Sequence, residues 1–376
     1  DGTATGTKLV KDINPGPQWS NLPNNIKVKP WAVMNGFVYF TANDGRHGAE
    51  LWRSDGSVAG TTMVADINLT GDTFELNTSS NRLPTFNPVV QGDVIYFSIA
   101  EGEYKSALWR SDGTENGTFR LRGSSFPARS DNATDLPLAM VAGSSIVFPC
   151  ENGELCRTDG TVVGTAPFVV PQPWLHSRRL TTTNIAKING AVILGGTYRT
   201  DGTAAGSYAL TGVQAFSLSE RPILASTNQF VLVVGYSSSS NELQVFRTDG
   251  LNQDLSLVKT ISGDLRYNDF RDYFYGLNRH CNGTTIGFFI MESPESWTLW
   301  VSDGTDPGTK VLLNFQGRNF NSYSSSTYKL SCEPDRDSAY VTAKNDDDTY
   351  SYYRIDGKTG KVSEIISHKV PINDGF

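Results

Sequence analysis

The sequence has few of the residues that build catalytic centres. Its 376 residues include only four histidines and four cysteines, and these form no His-x-x-x-His or Cys-x-x-Cys pair of the kind that binds zinc. A Gly-x-Ser-x-Gly elbow and a Gly-x-x-x-x-Gly-Lys-Ser/Thr phosphate loop are also missing. We therefore expect no cofactor and no metal, and we predict that the chain is not an enzyme.

Basic clusters and long apolar runs are absent as well. The formal net charge is -7 and the pI is near 5.2, and no run of Lys and Arg could follow a phosphate backbone, so nucleic acid is not an expected partner. The longest apolar stretches, such as Phe230 to Tyr236, are far shorter than the roughly 20 residues that span a bilayer. No transmembrane segment is therefore expected, and the start at Asp1-Gly2-Thr3, inside a repeat and without a signal peptide, predicts a mature or excised form.

An Asp-Gly pair is the clearest feature that is present. It recurs eight times at intervals of about 50 residues, which is the size of one propeller blade. The aspartates are Asp1, Asp55, Asp112, Asp159, Asp201, Asp249, Asp303 and Asp356. An Asp at the start of a tight turn accepts backbone hydrogen bonds and Gly supplies a positive φ, so we assign all but Asp1 as structural turn residues, with calcium binding as the alternative.

Between these turns, short β-branched or aromatic runs alternate with turn signals, four runs to a repeat, and no segment has a helical period. Because seven intervals separate eight turns, we predict an all-β fold, a seven-bladed β-propeller of four-stranded antiparallel blades, as a single domain over 1–376. An extra N-terminal strand, Thr7 to Ile13, is expected to close the ring. The expected blades are 31–67, 84–122, 137–170, 183–210, 222–261, 273–315 and 327–366, with 1–30 as closing strand and linker.

The residues before the turn identify a family resemblance. Glu50-Leu51-Trp52-Arg53-Ser54-Asp55-Gly56-Ser57 and its copies resemble the ELWxxDGT repeat, found in predicted secreted or surface proteins, mostly bacterial. The resemblance covers nearly the whole chain, although the fourth, fifth and seventh copies lack the Leu-Trp pair. It implies a propeller-type fold and brings no catalytic residue set.

Two further positions repeat before each Asp. An aromatic residue fills the first, as at Trp52 and Trp109, and packing between blades explains it. An Arg follows, as at Arg53, and strand alternation puts it on the same side as the Asp two residues later. A local ion pair is therefore the expected role of the Arg.

The cysteines suggest two disulfides. Cys150 and Cys156 flank an Asn-Gly turn, where a short hairpin would set them opposite each other. Cys281 and Cys332 fall at similar points of consecutive repeats, so they could join two blades. Four free thiols are the alternative. Disulfides favour an extracellular location, secreted or at the cell surface. Possible glycosylation sites, no more frequent than chance gives, are Asn68, Asn77, Asn116, Asn132 and Asn282.

Function in a repeat fold is expected where the repeat breaks. The two most distinctive long connections lie within Pro171 to Thr183 and Ser262 to Tyr273, and both join a fourth strand to the next first strand. Aromatic and Arg residues on such loops are common binding anchors. The predicted ligand-binding residues are Trp174, His176, Arg178, Arg179, Arg266, Tyr267, Phe270 and Arg271.

We therefore predict a non-enzymatic extracellular recognition or adhesion module that binds a protein or glycan at a cell surface through this loop face. One alternative is a carbohydrate-active enzyme, hydrolase or lyase, with acids and arginines over the central channel. Another is a structural scaffold segment of a larger surface protein.

Overall fold

The computed structural model describes 14 stretches of the chain: residues 2–15, 32–67, 88–100, 106–124, 139–150, 154–169, 185–212, 223–237, 242–261, 280–293, 296–316, 328–333, 336–344 and 350–368. The chain divides into two compact units, Asp1–Arg178 and Arg179–Phe376.

The first unit contains blades 1 to 3, each an antiparallel sheet whose four strands follow chain order. Its strands are β1 (Ala32–Met34), β2 (Phe37–Asn43), β3 (Ala49–Ser54), β4 (Thr62–Ala65), β5 (Val89–Gln91), β6 (Val94–Ala100), β7 (Ser106–Ser111), β8 (Phe119–Ser124), β9 (Met140–Ala142), β10 (Ser145–Pro149), β11 (Leu155–Thr158) and β12 (Ala166–Val169).

The second unit contains blades 4 to 7, built in the same order. Its strands are β13 (Ile185–Ile188), β14 (Ala191–Leu194), β15 (Tyr198–Thr200), β16 (Tyr208–Ala209), β17 (Ile223–Ser226), β18 (Val231–Ser237), β19 (Glu242–Thr248), β20 (Ser256–Ile261), β21 (His280–Asn282), β22 (Gly287–Ser293), β23 (Ser296–Ser302), β24 (Lys310–Gln316), β25 (Tyr328–Cys332), β26 (Ser338–Lys344), β27 (Tyr350–Asp356) and β28 (Val362–His368).

The predicted all-β fold of seven four-stranded antiparallel blades is confirmed. No helix occurs within the described stretches, and in particular none with the length and apolar character to cross a bilayer. The prediction of an N-terminal strand at Thr7 to Ile13 is wrong, because residues 2–15 form a turn at 3–6 and no strand. Their backbone lacks the ladder that defines a strand.

Hairpin turns with left-handed backbone begin two of the blades. Asn35 and Gly36 join β1 to β2 with φ values of 52° and 78°, and Asn189 and Gly190 join β13 to β14 with 47° and 74°. These values fit the two-residue hairpin turn that Asn-Gly favours, whose twist matches that of the flanking strands.

The core lies between successive blades. Tyr39 and Leu51 of blade 1 pack with Ile95 and Phe97 of blade 2 in one buried cluster. Equivalent clusters join blades 2 and 3, 4 and 5, 5 and 6, and 6 and 7. A four-stranded sheet has two faces to bury, so stacking on neighbours supplies what one blade lacks.

Candidate functional site

The eight predicted ligand-binding residues, which fall within 174–179 and 266–271, lie outside the described residues. Strand order still fixes where their connections attach. Each blade is an antiparallel meander, so the fourth-to-first connections leave from the end that carries its second-to-third loop. The Asp-Gly turn lies at the opposite end of the blade. Among the positions that the sequence singles out, the Asp-Gly turns are the ones that the structure describes, so the candidate site is built from them.

Hydrogen bonds from side chains build each turn. In blade 1, Asp55 Oδ1 accepts from the backbone N and the Oγ of Ser57, at 2.8 and 2.7 Å. Gly60 N donates to Ser57 Oγ at 2.9 Å, and Thr61 Oγ1 donates to Ser57 O at 2.7 Å. The hydroxyls of Ser54 and Thr61 lie 2.6 Å apart. The Asp thus organises a closed polar network within its own turn.

The same bonds recur in four other repeats. The aspartates are Asp112, Asp159, Asp201 and Asp303. Asp249 and Asp356 cap their turns through backbone N–H groups instead, at Leu251 and Thr359. All seven aspartates therefore accept hydrogen bonds within their own turns.

A second glycine lies five residues after the Asp in these five repeats, and the hydrogen-bond network explains it. A Cβ on Gly60 would overlap the Asp55 carboxylate, and the same overlap would occur at Gly117 with Asp112. Because Gly60 and Gly117 do not adopt a positive φ, the turn requires their small size and not their backbone freedom.

The turn carboxyls are held in the charged form. The hydroxyl of Ser57 lowers the pKa of Asp55, and the hydroxyls of Thr114 and Thr161 lower the pKa of Asp112 and Asp159, with backbone N–H groups adding to each. A hydrogen bond donated to a carboxylate stabilises the ionised form.

We expect the free energy of unfolding to decrease in acid, because the turn carboxylates then lose their contribution to it. These pKa values lie below the ordinary 3.8, so the stability they contribute is present above about pH 3.8 and falls as the pH drops through the folded values. Urea unfolding followed against pH measures this slope. An Asp55→Asn, Asp112→Asn variant keeps the acceptor oxygens but cannot titrate there, so its slope should be shallower. An unchanged slope in the variant would refute the assignment.

The repeated Arg has a role that the sequence did not predict. Its guanidinium donates to the carbonyl oxygen of the turn glycine in the next blade. The contacts are Arg53 to Gly113 at 2.8 Å, Arg110 to Gly160 at 3.2 Å, Arg199 to Gly250 at 2.6 Å and Arg247 to Gly304 at 3.3 Å. The expected local ion pair is seen for Arg110 with Asp112 and for Arg199 with Asp201, at 3.5 and 3.2 Å.

Aromatic rings hold these guanidinium groups in place. Arg53 lies 4.7 Å from the ring centre of Phe37, and Arg110 lies 5.2 Å from that of Phe119. A cation over a ring face is favourable and also restricts the side chain. The aromatic slot before the Arg packs between blades, since Trp109 lies against the cluster shared by blades 1 and 2. An Asp-Gly turn is therefore both a cap for its own blade and a docking point for the previous one.

Blade 6 carries Val301 where the other repeats have Arg, and a different contact joins it to blade 7. Asp337, just before β26, accepts from Thr285 N at 2.6 Å, Thr285 Oγ1 at 2.7 Å and Ile286 N at 3.0 Å, all in blade 6. Lys358 pairs with the same carboxylate at 3.1 Å. Burial alone would raise the pKa of Asp337. The hydrogen bonds and the Lys358 contact outweigh burial, so the pKa lies below its usual value.

Both predicted disulfides are present. Cys281 in β21 is bonded to Cys332 in β25, so a covalent link reinforces the junction of blades 6 and 7. Cys150 and Cys156 close a hairpin within blade 3, where Cys156 occupies the aromatic slot. The sequence left four free thiols as an alternative, because it does not by itself fix which sulfur atoms are adjacent.

A polar pair that the repeat does not explain lies in the second-to-third loop of blade 1. His47 Nδ1 is 2.7 Å from Asp44 Oδ2, and this hydrogen bond raises the pKa of His47. Asp44 Oδ1 also accepts from the backbone N of Arg46 and His47, at 2.9 Å each. The pair caps its own loop, and no three metal-binding side chains cluster anywhere in the described ranges.

Two of the possible glycosylation sites fall on described backbone. Asn116 is exposed in the Asp112 turn, and Asn282 ends β21. Asn68, Asn77 and Asn132 lie outside the described residues.

Comparison with known proteins gives fold-level likeness only. No family model matches the chain and no curated protein matches it, so the ELWxxDGT resemblance stays a prediction. Among solved structures, a puromycin-hydrolysing peptidase of Mycobacterium tuberculosis is 11% identical with a TM-score of 0.40, over 93% of this chain and 54% of that one. A prolyl endopeptidase structure is 11% identical with a TM-score of 0.41, over 92% and 50%.

An oligogalacturonate lyase in complex with manganese is 8% identical with a TM-score of 0.36, over 73% of this chain and 62% of that one. The chain thus spans about half the length of the peptidases that it matches. The predicted non-enzymatic recognition or adhesion module is corrected by these comparisons, because the similar solved structures are peptidases and a lyase.

Proposed function

We propose that the described blades form the rigid framework of an exported protein, in which Asp-Gly turns lock a blade to the one before it at four junctions, two within each compact unit. The observation that carries this proposal is the Arg contact with the turn glycine of the next blade, made at four junctions. A guanidinium that is committed to a carbonyl and an aromatic ring serves the blades and not a ligand.

Departures from the repeat support the same function. Where Val301 replaces Arg, Asp337 and the Cys281–Cys332 disulfide join the two blades instead. Where Asp254 replaces the second glycine of blade 5, its carboxylate accepts from Thr211 Oγ1 of blade 4. The backbone adds Leu255 N to Thr211 O at 2.9 Å. At Val301 the lost Arg contact is thus replaced by another link between blades 6 and 7, and at Asp254 the departure adds a link between blades 4 and 5.

Cysteine chemistry supports export. All four cysteines are in disulfides and none is free. Disulfides persist in oxidising compartments and are rare where thiols are kept reduced. An extracellular or secreted location therefore fits the sulfur chemistry of this chain.

Matched Arg substitutions test the framework role. Arg53→Met removes the hydrogen bond to Gly113 while keeping an apolar stem, and should lower the free energy of unfolding by about 1.5–3 kcal/mol, the range for hydrogen bonds to charged groups. Arg46→Met changes an exposed Arg on the same blade and should change it by less than about 0.5 kcal/mol. Equal effects in urea unfolding would contradict the proposal.

Production in oxidising and reducing compartments tests export. Folded protein is recovered from each compartment by its resistance to protease, and its free thiols are counted by alkylation and mass measurement. The folded protein should carry no free thiol, because all four cysteines are in disulfides. Equal yields of resistant protein carrying four free thiols would contradict an exported protein.

A further inference from the structure

Asn-Gly pairs are chemically reactive positions in a polypeptide. The backbone nitrogen of the glycine can attack the side-chain amide carbon of the asparagine, because glycine has no side chain to obstruct the approach. The sequence contains five such pairs, which begin at Asn35, Asn116, Asn152, Asn189 and Asn282, and all but the Asn152 pair lie in described stretches. The reaction needs an amide that can rotate and a glycine nitrogen that is free, so the fold decides which pair can react.

Two of the four described pairs have their glycine nitrogen engaged. Gly117 N donates to Thr114 Oγ1 at 3.0 Å, and Gly283 N donates to the carbonyl oxygen of Ile286 at 3.0 Å. Both glycines are also buried. A nitrogen that donates a hydrogen bond must give it up before it can attack, so the fold opposes the reaction at these two pairs.

The other two described pairs form the same turn but differ in one contact. Asn35 and Gly36 have φ values of 52° and 78°, and Asn189 and Gly190 have 47° and 74°. A Cβ on either glycine would meet nothing within 4 Å, so both turns face open space. Asn189 Nδ2, however, donates to the carbonyl oxygen of Asp249, in the turn of blade 5, at 2.8 Å. This bond holds the amide of Asn189 in one orientation.

Asn35 has no comparable restraint. Its side chain is exposed, and within the stretches that the structure describes it makes no hydrogen bond, nor does the backbone nitrogen of Gly36. The Asn35 amide can therefore rotate toward a nitrogen that is free to attack it. Among the described Asn-Gly pairs, this is the one in which the fold restrains neither reacting group.

We propose that Asn35 is a site of spontaneous deamidation and that it reacts first among the described Asn-Gly pairs of the folded protein. The backbone nitrogen of Gly36 loses its proton to solvent base and forms a bond to the side-chain amide carbon of Asn35. The bond from that carbon to Nδ2 breaks, and ammonia leaves. Water then opens the cyclic imide at either carbonyl, giving aspartate or isoaspartate. A water molecule is consumed and ammonia is released, and no group is oxidised or reduced.

The two products affect blade 1 differently. Both add a negative charge, but aspartate keeps the turn, because Asp-Gly is favoured in the same two-residue hairpin as Asn-Gly. Isoaspartate adds a carbon atom to the main chain between β1 and β2, where Met34 and Phe37 are paired. Since the length of the turn fixes the register of a hairpin, isoaspartate should disturb the pairing of the first strand.

Ageing of the whole chain in mildly alkaline buffer, with peptide mapping by mass spectrometry, measures the reaction at each pair. The same chain in denaturing urea supplies the reference rates, because there no fold restrains any pair. Relative to these references, Asn35 in the folded protein should react about fivefold or more faster than Asn189, the factor given by a hydrogen bond of about 1 kcal/mol. Methylation by an isoaspartate methyltransferase identifies the isoaspartate product.

Two substitutions at Thr114 test whether an engaged glycine nitrogen protects its pair. Thr114→Val removes the oxygen that accepts from Gly117 N and should raise the rate at Asn116 by about fivefold. Thr114→Ser keeps the hydroxyl and should leave that rate unchanged, because Ser57 makes the matching bond to Gly60 N in blade 1, at 2.9 Å.

The comparison of Asn35 with Asn189 is made within the unmodified chain, so it does not depend on how a variant folds. The proposal is overturned if Asn35 does not react in the folded protein, or if its rate relative to urea is no higher than that of Asn189. Faster reaction at Asn116 or Asn282 than at Asn35 would also overturn it. An unchanged Asn116 rate in the Thr114→Val variant would refute the protection by hydrogen bonding on which the proposal rests.

Discussion

Removing the Cys281–Cys332 disulfide should destabilise the protein more than removing the Cys150–Cys156 disulfide. The two bonds close loops with sequence separations of 51 and 6 residues. In the chain-entropy description the stabilisation grows with loop length, to about 4 kcal/mol for the longer loop and about 2 kcal/mol for the shorter one. The longer bond also joins two blades at the junction where Val301 replaces the repeated Arg.

Double Cys→Ala variants of each pair, compared in urea unfolding, measure this difference. The hairpin pair is the matched control, because it removes the same number of sulfur atoms from a single blade. A larger loss for the hairpin pair would show that packing of the buried Cys150 and Cys156 outweighs the link between blades.

Gly113→Ala should destabilise the protein more than Gly56→Ala. Both glycines follow the turn Asp and have nearly the same backbone, with φ of 90° and 88°, so an alanine there costs similar strain. A Cβ on Gly113 would overlap the Tyr39 hydroxyl and meet Arg53 Nη1 at 3.2 Å, whereas nothing lies within 4 Å of a Cβ on Gly56. The difference between the variants therefore reports the contact between blades 1 and 2.

We expect Gly113→Ala to lose about 1–3 kcal/mol beyond the loss in Gly56→Ala, the usual cost of an inserted methyl in a packed site. Tyr39 is almost fully buried, and burial raises the pKa of its hydroxyl, so the ring has little room to move away from the added methyl group. Tyr39→Phe in the Gly113→Ala background removes the overlapping oxygen and should recover part of the loss. Equal losses for the two glycine variants would mean that the junction yields to the methyl.

The sequence predicted the strand content well because the signal is local. Alternating apolar residues and Asn-Gly or Asp-Gly turns act within a few residues of each other, and Gly36 and Gly56 take the left-handed backbone that such turns need. The hairpin disulfide was accessible for the same reason, since only a short turn separates Cys150 from Cys156.

Contacts between repeats could not be derived in this way. The Arg was assigned to its own Asp because strand alternation places both on one side, yet its guanidinium reaches Gly113, Gly160, Gly250 or Gly304 of the next blade. The distance between two blades depends on how their faces stack, which the pattern within one repeat does not contain.

By itself, the sequence determined the number of blades, their four-stranded plan and the structural nature of the Asp-Gly turn, since each depends on turn chemistry and alternation along a short stretch of chain. Only the tertiary structure decided what the repeated Arg binds and which contacts replace the Arg at Val301. Those outcomes depend on atoms about 50 residues apart in sequence, brought together by the stacking of complete blades.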